Sequence, residues 1–184
     1  MSRGPASGGE VRILGIDPGS VTGYGIIETC KSLPQASDCI YITSGDIANS
    51  NRKPSYVMLR DLYDALIDIL RQYSPNEVVV EKIFFAKSAK AALNLGQARG
   101  VAILAAASEG LDVYEYSALE VKKAVTGYGR AEKRQVQEMV MRILSPCSTL
   151  SAPGFVLTED AADALAIALC HMNTLKLREA INKS

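Results

Sequence analysis

Four carboxylates stand out by where they fall. Asp17 follows the apolar run Val11-Arg12-Ile13-Leu14-Gly15-Ile16, and Glu81 closes Glu77-Val78-Val79-Val80-Glu81. Asp160 and Asp163 lie three residues apart in Glu159-Asp160-Ala161-Ala162-Asp163-Ala164, a spacing that puts both on one face of a helix. Each acid has an ordinary explanation: Asp before Pro-Gly is common turn chemistry, and Asp and Glu are favoured in the first turn of a helix. Those explanations serve the acids singly and the group less well. Asp17 and Glu81 close strands apolar enough to be central and adjacent, where two carboxylates repel unless a cation lies between them. Asp163 has Ala164, Ile167 and Cys170 as helical neighbours, an apolar setting for a solvated charge. Carboxylate oxygens without His or Cys partners suit Mg²⁺ or Mn²⁺. Two such ions about 3.5–4 Å apart are the usual arrangement for in-line attack of water on a phosphodiester. The sequence holds no G-x-x-x-x-G-K-[ST] loop and no nucleophile elbow, and its one histidine, His171, is remote from any Cys or Ser signature.

The elements that must position these acids can be read from periodicity and turn chemistry. Val11 to Glu28 is two apolar runs around Asp17-Pro18-Gly19-Ser20, a hairpin in which Gly19 and Gly23 permit left-handed or closely approached backbone. Cys39 to Gly45 is a third strand. Tyr56 to Tyr73 is a helix on the spacing of Val57, Leu59, Leu62, Leu66, Ile69 and Leu70, ended by Ser74-Pro75-Asn76. Glu77 to Glu81 reads as a buried strand of a partly parallel sheet. Ala89 to Glu109 is a helix stopped by Gly110, Leu111 to Tyr116 a fifth strand, and Ser117 caps a short helix through Ala124. After a turn at Thr126-Gly127-Tyr128-Gly129, Ala131 to Leu144 is another helix. Cys147 to Leu157 is irregular, and Thr158 caps a last helix from about Glu159 to Leu177. This order predicts one α/β layer fold over residues 11–177, between a flexible tail at 1–10 and a C-terminal tail at 178–184. Gly96 and Gly100 cost the second helix about 1 kcal/mol each relative to Ala, so another backbone is expected to come close to it.

Composition bounds the rest. A chain of 184 residues with 48% hydrophobic and 22% charged residues is one ordinary globular domain with a full core. No apolar run approaches the roughly 20 residues needed to cross a bilayer, and Met1 to Glu10 lacks the apolar stretch of a signal peptide. Cys30, Cys39, Cys147 and Cys170 have neither C-x-x-C nor zinc-finger spacing, so reduced cysteines in a cytoplasmic protein are expected. Net charge is zero, yet Lys82 to Gly100 carries Lys82, Lys87, Lys90 and Arg99 and no acid. Lys122 to Arg142 adds Lys122, Lys123, Arg130, Lys133, Arg134 and Arg142 against Glu132 and Glu138. A neutral chain can still present a basic face to nucleic acid, although two solvated helix faces would look the same.

Four blocks resemble the RuvC-type Holliday junction resolvases of bacteria. They are Ile13 to Gly19, Val80 to Lys87 (Val-Glu-Lys-Ile-Phe-Phe-Ala-Lys), Leu95 to Gly100 (Leu-Gly-Gln-Ala-Arg-Gly), and Asp160 to Ala168 (Asp-Ala-Ala-Asp-Ala-Leu-Ala-Ile-Ala). The likeness runs in order over about residues 11–173. It implies an RNase H-like fold with a five-stranded mixed sheet and helices on both faces. It implies a homodimer that makes paired, symmetric nicks in four-way junction DNA with two Mg²⁺ per site, Mn²⁺ substituting, in company with a branch-migration motor. The family's metal-binding carboxylates fall on Asp17, Glu81, Asp160 and Asp163, a base-stacking aromatic on Phe84 or its neighbour Phe85, and phosphate-binding lysines on Lys122 and Lys133; Lys87 and Arg99 join them as basic DNA contacts. Three features depart from the family pattern: Thr158-Glu159 where it usually has Pro, a longer loop from Cys147 to Leu157, and two adjacent aromatics at Phe84-Phe85. Asp17-Pro18-Gly19-Ser20 also resembles the first phosphate loop of actin-like ATPases and sugar kinases, for which the chain is too short. Two nearer alternatives share the fold: a nuclease that trims ribosomal RNA precursors, and a junction-binding module without catalysis.

Overall fold

The structure, a computed structural model, describes residues 10–30, 39–48, 53–82, 88–144 and 156–182. Five strands form one sheet in the order β3-β2-β1-β4-β5. Strands β1 (Glu10–Asp17), β2 (Val21–Cys30) and β3 (Cys39–Ala48) make an antiparallel meander. The hairpin closes with Asp17 opposite Gly23. Strand β4 (Glu77–Glu81) adds parallel to β1, and β5 (Asp112–Tyr116) adds parallel to β4. The two apolar strands expected to be central and adjacent are therefore neighbours, with Asp17 and Glu81 at the same end of the sheet.

Two helical layers cover the sheet. Helices α1 (Ser55–Tyr73) and α2 (Ala89–Ser108) pack on one face, where Leu62, Leu66 and Leu70 of α1 and Ala98, Ala102 and Ala105 of α2 join Leu14, Ile16, Val78 and Val80 in a core. On the other face lie α3 (Ala118–Thr126), α4 (Lys133–Leu144) and α5 (Glu159–Asn182). Their Val121, Val136, Val140, Leu165 and Leu169 share a second core with Ile13, Ile27 and Val79. Strand residues two apart face the same way. Asp17 thus belongs with Ile13 and Gly15, and Glu81 with Val79, on the α5 face.

Glycine explains how α5 comes so near. A Cβ at Gly15 would lie 2.1 Å from the Ala164 carbonyl oxygen, and one at Gly23 would lie 2.0 Å from that of Asp160. At Gly25 it would meet Leu165 Cγ at 2.6 Å. The helix therefore rests with its backbone directly on β1 and β2, and the alanines Ala161, Ala164 and Ala168 supply the matching thin side.

Some boundaries differ from the sequence reading. Glu10 is the first residue of β1 rather than the last of a tail. Helix α5 continues through Asn182 instead of stopping at Leu177, so residues 178–182 are helical; no Gly or Pro follows Leu177 to stop it. Among the described residues nothing lies within 4 Å of where a Cβ at Gly96 or Gly100 would be, so none of them makes the close approach expected there. Cys39 and Cys170 are both buried, each in the core on the α5 face. Among the described residues no helix is long and apolar enough to cross a membrane.

The glycine floor makes the first prediction. Gly15→Ala sets a methyl against backbone that cannot rotate away, and overpacking of this kind costs about 3 kcal/mol. Gly96→Ala, in open space, should instead stabilise the isolated subunit by about 1 kcal/mol. Urea denaturation of both variants tests the contrast; a Gly15→Ala protein as stable as its parent would mean that α5 does not sit on β1 in this way.

Candidate active site

A cleft of about 190 Å³ opens at the end of the sheet where β1 and β4 finish, lined by Asp17, Glu81, Lys122, Lys133 and Asp163 with Ala118, Val121, Val136, Ala166 and Ile167 behind them. Each polar side chain is delivered by a different element. Asp17 ends β1 and Glu81 ends β4. Asp163 comes from the first turns of α5 and Lys133 begins α4. Lys122 rides on α3, whose start is fixed by a capping box: Ser117 Oγ accepts from the Glu120 amide at 3.3 Å, and the Glu120 carboxylate accepts from the Ser117 amide at 2.7 Å. Asp160 lies outside the cleft lining, three residues before Asp163 on α5, yet near enough for its charge to bear on Asp17.

The electrostatics are those of crowded acids. Burial, then the charges of Glu81, Asp163 and Asp160, raise the Asp17 pKa to about 7, with Lys133 pulling the other way. Glu81 is raised by burial and by Asp163, against Lys122. Asp160 is raised by burial and then by the charge of Asp46 on β3. The Lys133 ammonium sits against two of the acids: Nζ is 2.9 Å from Asp163 Oδ2 and 3.2 Å from Glu159 Oε2. Burial works against the Lys133 charge, but its hydrogen bonds to Asp163 and Glu159 outweigh that and raise its pKa above the ordinary lysine value. Among the described residues no three His, Cys, Asp or Glu side chains are already gathered as a metal cluster. The donor set is nonetheless all oxygen, and its like charges are of the kind that a divalent cation relieves.

Comparison with known proteins now decides the family. The family model described as crossover junction endodeoxyribonuclease RuvC matches residues 13–171. The chain belongs to this family. A RuvC of Geobacter metallireducens is 42% identical over 169 residues, covering 91% of this chain and 96% of the relative. One from Shewanella loihica is 49% identical over 164 residues, covering 88% and 87%. Among solved structures, Thermus thermophilus RuvC in complex with a Holliday junction substrate superimposes with a TM-score of 0.79 at 28% identity, covering 91% of this chain and 96% of that one. The yeast mitochondrial resolvase Ydc2, at 14% identity and a TM-score of 0.65, shares the fold. The RuvC structures bear out the RNase H-like fold expected from the sequence.

Within this RuvC-family site, the residues singled out from sequence fare differently. Asp17, Glu81, Asp163, Lys122 and Lys133 converge. Arg99 does not join them: it lies on α2, across the sheet, in an ion pair with Glu115. Phe84, Phe85 and Lys87 fall outside the described residues, as do residues 147–155 of the expected loop. Sequence reasoning missed Asp46, which accepts a hydrogen bond at 2.8 Å from Thr158 Oγ1 while that oxygen accepts from the Ala161 amide at 3.3 Å. This brace caps α5 beside Asp160. No local signal marks Asp46, because it reaches Thr158 across 112 residues. Glu159, noted as a departure from the family pattern, turns out to share Lys133 with Asp163.

The raised Asp17 pKa has a thermodynamic consequence. Asp17 holds its proton more tightly when folded than when unfolded, so its contribution to stability is complete below about pH 4 and is lost as pH rises through about 7. In chelator, Asp17→Asn should therefore be more stable than the parent at pH 8 and lose that advantage at pH 4. Thermal melts across this range test it, and an advantage that grows towards acid would contradict the repulsive site.

Proposed function

We propose that this chain is a Holliday junction resolvase, an endodeoxyribonuclease that makes paired, symmetric cuts in four-way DNA junctions during recombination and repair. The observation that carries the reading is the gathering of Asp17, Glu81 and Asp163 in one cleft with Lys122 and Lys133, in a chain of the RuvC family. Asp17, Glu81, Asp160 and Asp163 would hold two Mg²⁺ ions, or Mn²⁺ in their place. When bound, such ions lower the pKa of the attacking water and stabilise charge on the leaving oxygen. Lys122 and Lys133 border the acids and supply the positive charge that a phosphodiester needs to approach them. Lys133 must exchange its carboxylate partners, Asp163 and Glu159, for a phosphate or for cation-neutralised acids. Phe84 or Phe85 stacks on bases at the junction, Lys87 adds a phosphate contact, and a branch-migration motor delivers the substrate.

Symmetric cutting needs two sites, and α2 offers the surface for a second copy. Its outward side carries Leu93, 68% exposed, and Leu104, 57% exposed. Between them Gly96 and Gly100 leave room for another backbone. Gly100→Arg should convert the dimer to monomer in light scattering at micromolar protein and abolish paired cutting. A Gly100→Arg protein that remains dimeric would move the interface elsewhere.

The activity itself is tested by incubating the protein with mobile four-way junctions, with and without Mg²⁺, and mapping the cuts, with structured RNA as the competing substrate. Cleavage of RNA but not junction DNA would overturn the reading. Asp160→Asn keeps the shape of the side chain and removes one charge, so cleavage should fall at least about 100-fold. Junction binding in EDTA should hold or tighten, because a charge that repels phosphate has gone. Near-parental cutting by Asp160→Asn would leave it a helix-capping acid alone.

A further inference from the structure

His171 is fully buried and has no part in the chemistry above. It lies on α5 two turns beyond Asp163. Its Nε2 is 2.6 Å from Glu77 Oε2, its Nδ1 is 2.8 Å from the Tyr116 hydroxyl, and its ring centre is 4.3 Å from that of Tyr114. A carboxylate only accepts, so Nε2–H donates to Glu77. Glu77 is the first residue of β4 and Glu81 the last, both on the face that meets α5. Four strand residues span about 13 Å, and the eight helical residues from Asp163 to His171 span about 12 Å. Strand and helix therefore meet at two rungs of nearly equal spacing, Glu77 with His171 and Glu81 opposite Asp163. The first rung attracts. The second repels, since the charge of Asp163 is among the causes that raise the Glu81 pKa.

We propose that His171, held by Glu77 and Tyr116, is a positioning residue that fixes α5 against β4 and so sets the separation of Glu81 and Asp163 before any cation is bound. The inference rests on the reading of those acids as metal ligands. Without the far rung, repulsion at the near rung tilts the start of α5 away from β4, and a cation must draw it back. Metal affinity then falls, while the metal-saturated site regains its geometry.

Glu77, at 16% side-chain exposure, is a safer place to break the contact than the fully buried histidine. Calorimetric titration of the DNA-free protein with Mn²⁺ should show about tenfold weaker binding for Glu77→Ala. Glu77→Gln, which keeps an oxygen to accept from Nε2–H, should recover most of it, and Tyr116→Phe, the milder lesion, should lose about threefold. On junction DNA, the Mg²⁺ concentration for half-maximal cutting should rise by matching factors, with the rate at saturating Mg²⁺ within about twofold of the parent. A merely structural role would lower the melting temperature and leave Mn²⁺ affinity untouched. Parental Mn²⁺ affinity in Glu77→Ala overturns the inference; if that variant does not fold, parental affinity in Tyr116→Phe does so. A parent protein that binds Mn²⁺ but cuts no junction removes the nuclease reading alone, and one that binds no Mn²⁺ removes both.

Discussion

Everything at the candidate site depends on the absence of three side chains. Gly15, Gly23 and Gly25 let the backbone of α5 settle on β1 and β2, at distances where a single Cβ would collide with the helix. A helix normally stands off a sheet by the depth of interleaved side chains. Here that spacer is missing on the strands and reduced to alanine on the helix. The consequence is chemical as much as structural. Asp160 and Asp163 are carried to the level of Asp17 and Glu81, so acids from distant parts of the chain fall within reach of one another's charge.

That closeness has an electrostatic cost, and the surrounding structure is arranged around it. Burial and mutual repulsion raise the pKa of Asp17, Glu81 and Asp160. Lys133 places its ammonium against Asp163 and Glu159, while Lys122 offsets the charge of Glu81. The two lysines come from α3 and α4, which pack on the same face of the sheet as α5. Crowded carboxylates of this kind are relieved by added positive charge, and hard oxygen donors prefer divalent cations such as Mg²⁺.

Beyond the acids the α5 contact is mostly apolar, with the Glu77 carboxylate hydrogen-bonded to His171. From Ala164 through Leu169 the helix is buried without interruption. Its polar interruptions are made good individually: Thr174 Oγ1 bonds back to the Cys170 carbonyl, and Asn173 reaches the Ala124 carbonyl of α3. Unpartnered polar groups here would add to the strain already present among the acids.

Much of this was legible in the sequence. The strands and helices follow from period-two and period-3.6 patterns with ordinary caps, and β4 was bounded to the residue because Pro75-Asn76 and Lys82 flank a short β-branched run. The four acids stood out because each closes or opens an apolar element. Local pattern could not set how far those elements lie apart. Gly23 reads as a loose point near a turn, and only the packing of α5 shows it as a seat for the Asp160 carbonyl. Arg99 looked like part of a basic face, but Glu115 comes from a strand beside it and binds it. Asp46, Glu159 and His171 matter through partners on other elements, and a partner that folding alone supplies leaves no mark on neighbouring residues. The sequence determined which residues are charged, which are apolar and where each element begins. Tertiary structure decided which charges meet, because that depends on the thickness of side chains between a helix and a sheet.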